Sequence, residues 1–127
     1  HLTTTLFINQ KHIANEITRL NQFHNLMKND VEQSNEISIN NMGNIEFSIN
    51  KEIIYIVFEG YILRENKISS DTFKLKVANY DIGFLFDQGK LVNEITINFQ
   101  LTDNNIYHLN FYKEYSNYIK YNENSHK

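Results

Sequence analysis

Ile45-Glu46-Phe47-Ser48-Ile49 and Glu52-Ile53-Ile54-Tyr55-Ile56-Val57-Phe58 decide the fold, because of what stands before them. Upstream, Leu2, Leu6, Ile13, Ile17, Leu20, Met27 and Val31 share one stripe of a helical wheel drawn at about 100° per residue. At Ile37-Ser38-Ile39 the apolar rhythm changes to period two, the spacing of a half-buried strand. Short alternating runs then follow one another with no second helical stretch between them. This order predicts an α+β fold, a long N-terminal helix packed on an antiparallel β-sheet. The crossover helices that a parallel sheet needs are missing.

The helical reading is firmest over residues 10–33, where no Gly or Pro interrupts good helix formers such as Leu, Lys, Glu and Met. Thr3-Thr4-Thr5 either caps its start or lies mid-helix, since the stripe already running at Leu2 and Leu6 reads as the continuation of a longer helix. Ser34-Asn35 ends it. Residues 37–40 and 45–49 predict a hairpin around Gly43, which supplies positive φ. Two apolar runs flanking Glu59-Gly60 predict a second. The alternation Phe73-Lys74-Leu75-Lys76-Val77 predicts a strand, and residues 82–86 are expected to pair with 91–101 through Asp87-Gln88-Gly89. A last hairpin turns at Thr102-Asp103-Asn104-Asn105 and returns over Ile106 to Tyr112. The expected organisation is one domain: helix 1–33, antiparallel strands 36–115, and a polar tail 116–127.

A chain of 127 residues buries roughly two-thirds of its unfolded surface. With 41% hydrophobic and 21% charged residues it has a globular composition. A formal net charge of −3 argues against general affinity for nucleic acid or anionic lipid. There is no cysteine, hence no disulfide, thiol nucleophile or thiolate metal site.

No catalytic or metal constellation stands out, and an enzyme is not expected. His1, His12, His24, His108 and His126 have no partner at a ligand spacing; His24, on the apolar stripe, reads as a neutral imidazole at the helix–sheet interface. Asp30, Glu32 and Glu36 read as a solvated face near the helix end. Tyr107, Tyr112, Tyr115, Tyr118 and Tyr121, with Lys113 and Lys120 between, could stack bases, but rings packing on a sheet edge is the plainer account. Ile8, Phe23 and Leu26 point away from the stripe. A helix covered on one side keeps its other side polar, so either a second sheet or a loop segment covers Phe23 and Leu26 or a partner subunit does. For Phe7 and Ile8, partner or membrane proximity is the expectation.

The layout resembles the type IV pilin-like minor pseudopilins of competence systems in low-GC Gram-positive bacteria. The resemblance rests on a long helix with an apolar start, Phe23-His24-Asn25-Leu26-Met27-Lys28-Asn29-Asp30-Val31, and then the strands. Its best segment is Ile54-Tyr55-Ile56-Val57-Phe58-Glu59-Gly60-Tyr61-Ile62-Leu63-Arg64-Glu65, a tyrosine strand, a short turn and a second strand ending Leu-Arg. The resemblance covers about residues 6–115. It implies a pilin-like fold whose membrane segment, with its peptidase site and near-terminal glutamate, lies upstream of His1. It also implies a non-enzymatic subunit of a pilus-like apparatus for DNA uptake, anchored at the cell surface with an extracytoplasmic domain. The implied partners are other minor and major pseudopilins; no cofactor and no direct DNA binding are implied. The expected partner interface is Leu2, Leu6, Phe7, Ile8, Phe23, Leu26 and Arg64, with an exposed strand-end arginine as the plainer reading of Arg64. The alternative function is an exported or anchored helix-on-sheet binding module for a peptide or small ligand.

Overall fold

In a computed structural model, residues 2–48, 52–87 and 89–116 are described, with side chains from residue 10 onward. Helix α1 spans Leu2–Gln33, 32 residues, or roughly 48 Å at 1.5 Å per residue. Eight strands follow: β1 Glu36–Ile39, β2 Ile45–Ser48, β3 Glu52–Val57, β4 Ile62–Glu65, β5 Ser70–Phe73, β6 Val77–Phe84, β7 Val92–Gln100 and β8 Ile106–Tyr112. They form two antiparallel sheets, one ordered β1-β2-β3-β4-β5 and the other β6-β7-β8. Every pairing is between consecutive strands, so the chain builds each sheet as a meander of hairpins.

Local chemistry sets the turns. Ser34 ends the helix by turning its hydroxyl onto the Val31 carbonyl at 2.8 Å, and the Asn35 amide then donates to Ser48 in β2. The Asn40 side-chain oxygen accepts from the amides of Met42 and Asn44, and Gly43 takes φ +82° there. At the β7–β8 turn, Asn104 adopts φ +68° while Asp103 accepts from the Asn105 amide. Asn is among the few residues with a side chain that tolerates this region.

The helix lies over both sheets, and the core forms where all three meet. Phe23 is at its centre, wholly buried, with its ring edge-on to Tyr55 of β3, Phe73 of β5, Phe99 of β7 and Phe111 of β8, at centroid distances of 5.3–6.4 Å. Edge-to-face rings at this spacing add to the area they bury. Around it pack Leu20, Met27, Ile37, Ile45, Phe47, Ile62, Val92, Ile95 and Ile97. Tyr115, just past β8, ties the two sheets together. Its hydroxyl donates to the Val92 carbonyl at 2.6 Å and accepts from the Ile37 amide at 3.1 Å.

Two expectations are corrected. The buried helix face is centred on Leu20, Phe23, Met27, Asp30 and Val31, turned by about 45° from the expected stripe at 100° per residue. Ile13 is therefore half-buried and Ile17 is 36% exposed. The turn brings Phe23 into the aromatic recess between the sheets, where an isoleucine at position 17 has no counterpart. The alternation at 73–77, second, is not a strand. β5 ends at Phe73, and Lys74–Lys76 crosses from one sheet to the other with Leu75 and Val77 buried beneath it. The Val77 amide donates to Glu59 of the first sheet, while the Lys76 carbonyl accepts from Gln100 of the second. Period two here records burial of alternate side chains without a ladder.

Candidate functional site

The densest polar arrangement lies beneath the end of the helix. Register places Tyr55, Arg64 and Asp71 in one row across β3, β4 and β5. Odd and even positions of a strand face opposite ways, and this row faces the helix. Asp30 comes down onto it. Its carboxylate accepts the Tyr55 hydroxyl at 2.5 Å, Arg64 Nε at 2.8 Å and Arg64 Nη2 at 3.1 Å. Asp71 stands farther out, 3.7 Å from Arg64 Nη1 and open to solvent.

Burial makes the arrangement consequential, since the side chains of Arg64 and Asp30 are 12% and 3% exposed. A carboxylate near a helix C-terminus opposes the macrodipole, and the last turn of α1 carries no basic residue. Arg64 supplies that charge from the sheet, in the two-pronged geometry that suits a carboxylate. Its own proton is held more tightly, chiefly by the bond to Asp30. The Tyr55 hydroxyl is pushed well above its ordinary range by burial first and the Asp30 charge second, so it remains a donor. The triad fixes the helix to the sheet in one rotation and register, and its groups all face inward. Asp30 is thus a correction, being buried and not on a solvated face, and Arg64 is a part-buried partner of Asp30 and not a fully exposed strand end.

The first half of α1 contrasts with this. Gln10, Lys11, His12, Ala14, Asn15, Ile17 and Thr18 are exposed, and Ile13, Glu16 and Arg19 are half-covered. Among the described residues, Glu16 is the first to bond another element. Its carboxylate accepts the Thr102 hydroxyl at 2.6 Å and the Thr102 amide at 3.1 Å, pinning the helix to the β7–β8 turn. The backbone of Leu2, Leu6, Phe7 and Ile8 continues the helix beyond that pin, and their side chains lie outside the described residues. Leu26 is half-buried on the helix flank. Phe23, offered either to a covering sheet or loop or to a partner, is covered by the sheets, and its ring is the centre of the core.

The remaining candidates disperse. His24 is half-buried with its ring 5.5 Å from Phe111, at the helix–sheet boundary as expected. His108 is exposed on β8, its Nδ1 2.7 Å from the Asn98 side-chain oxygen. His1 and His126 lie outside the described residues, as do Tyr118, Lys120 and Tyr121. Tyr107 is half-buried, Tyr112 exposed on the opposite face and Tyr115 buried, so these rings make no common platform. Lys113 donates to the Ser34 carbonyl at 2.6 Å, and partial burial lowers its pKa. Among the described residues no group of three His, Cys, Asp or Glu could hold a metal, and no helix is long and apolar enough to cross a membrane.

Sequence reasoning missed the Asp30–Tyr55–Arg64 triad. A signal existed in the wheel, where Asp30 lies three residues beyond Met27 and seven beyond Phe23, on their side of the helix. No family model, curated protein or solved structure matches this chain.

Proposed function

We propose that this chain is a non-enzymatic assembly subunit, a minor pseudopilin of the ComGF kind in a pilus-like apparatus for DNA uptake. One observation carries the proposal: in a helix of 32 residues, the side chains described from residue 10 onward join the core only from Leu20. The helix backbone runs on past the Glu16 pin to Leu2, and Gln10, Lys11, His12, Ala14 and Asn15 are exposed, which is the form of a subunit that packs its stalk among other helices. The pilin-like packing, the cell-surface anchoring through an upstream apolar segment and the pseudopilin partners belong to this proposal. Head-to-tail contacts of unlike surfaces are what a filament requires, and an inward-facing lock on the rotation of the helix suits a stalk that must present one face to its neighbours.

The test is co-isolation of the full-length protein with the pilin-like proteins encoded beside it. Leu6→Ser, Phe7→Ser and Ile8→Ser are expected to abolish co-isolation while leaving the circular dichroism and melting temperature of the domain unchanged. Undiminished assembly in the triple variant overturns the proposal.

A further inference from the structure

The free edge of β6 and the aromatic cleft beside it form a second interface, independent of the reading of the helix. Strand β6 is an edge strand, with β7 on one side and, among the described residues, no strand on the other. The other edges are blunted. β1 and β5 are four residues each, β1 is tied to β7 by Tyr115, and β8 runs under the helix with Phe111 against Phe23 and His24. β6 has eight residues, Val77–Phe84, without proline or lysine, and Asp81 is its one charge. Natural sheets protect long edges with lysine, proline, bulges or a covering element; β6 has irregular register at Val77/Asn79 and Gly83/Phe84, but the regular stretch 79–83 between them has no lysine or proline and, among the described residues, no covering strand.

Beside it, at the β3–β4 turn, Phe58 and Tyr61 stack at 4.5 Å with 20° between their planes, both exposed. Between that turn and the start of β6 opens a cleft of about 260 Å³, lined by Val57, Phe58, Ala78 and Tyr80 among others. Tyr80 and Phe84 lie on the same side of β6 and are exposed. The Val77 amide already donates to the Glu59 carbonyl at 2.9 Å, the bond an adjoining strand would make. The cleft begins where that single rung stops. Glu59 is also the one charged residue lining it.

We infer that β6 accepts an extended segment of another polypeptide, apolar at alternate positions and carrying a lysine or arginine that reaches Glu59. Main-chain bonds to β6 would supply the affinity, and the aromatic cleft the choice of side chain. A second copy of this chain is disfavoured in the antiparallel self-pairing of β6 centred on Asp81, which sets that carboxylate against its own twin, because like charges directly opposite destabilise.

The test uses a synthetic peptide of alternating lysine and valine long enough to span β6, an alternating glutamate–valine peptide, and a lysine–valine peptide interrupted by proline. Hydrogen exchange is read at single amides by NMR. The lysine peptide is expected to slow exchange along residues 79–83 about tenfold or more, with little effect from the other two. Phe58→Ala with Tyr80→Ala is expected to weaken binding roughly tenfold, and Glu59→Gln roughly three- to fivefold, while the melting temperature stays unchanged because these side chains are exposed. Absence of protection on β6, protection confined to another strand, equal protection by the glutamate peptide, or concentration-dependent self-association through β6 overturns the inference.

Discussion

The two halves of α1 share one backbone and live in different surroundings. Residues 20–33 set Leu20, Phe23, Met27, Asp30 and Val31 against both sheets, where a ring cluster and an ion pair hold them. Residues 10–19 carry Ile13 and Ile17 at a similar apolar spacing, yet only the Glu16 carboxylate bonds another element, at the Thr102 turn. Apolar periodicity alone therefore does not say what a helix packs on. Among the described residues, the buried contacts of α1 lie in its second half, while most of residues 10–19 are exposed.

The sharpest way to break this contrast is Phe23→Ala, expected to cost about 3–5 kcal/mol in urea unfolding because the cavity it leaves is walled by four rings. Asp30→Ala is expected to cost about 3 kcal/mol or more, since it strands the Arg64 guanidinium in a nearly buried site. Replacing both partners, Asp30→Leu with Arg64→Met, should recover much of that loss, which separates the penalty of an orphaned charge from the worth of the pair. Tyr115→Phe is expected to cost about 1–3 kcal/mol, leaving the Val92 carbonyl and Ile37 amide without their shared partner.

A smaller effect sharpens the picture of the lock. Tyr55 has its pKa raised above the ordinary value of 10.0, by burial and then by Asp30. A group whose folded-state pKa is raised contributes stability that is fully present below its unfolded value and is lost as pH rises beyond it. Wild-type stability should therefore fall above about pH 10 with an extra slope approaching 1.4 kcal/mol per pH unit, which Tyr55→Phe removes. Smallest of all is Ile17→Ser, expected to change stability by less than about 0.5 kcal/mol. A loss comparable to that of Phe23→Ala would erase the distinction between the halves.

The helix and most hairpins were legible because a change from period 3.6 to period two, and Gly or Asn at turns, are local signals. The inner face of the helix was less so. Its orientation depends on Phe23 finding a recess made by residues 73, 99 and 111, and on Asp30 finding Arg64 34 positions away. A carboxylate on a wheel reads as outward until a buried cation for it is known. Lys74–Lys76 misled for a related reason, since a crossing segment over a core alternates as a strand does. A second sheet over Phe23 was one of the alternatives the sequence left open, and it could not be chosen because hairpin signals give neighbours within a sheet and say nothing of how meanders are stacked.

The clasp made by Tyr115 has a bearing on how the molecule comes into being. It joins positions 78 residues apart, and Phe23 waits for rings that arrive nearly as late. At about 5–20 residues per second, roughly 4–15 s separate synthesis of Ile37 from that of its clasp. Within that interval the rings that wall Phe23 arrive one after another, Phe111 last. A product that stops short of Tyr115 lacks the clasp between Ile37 and Val92.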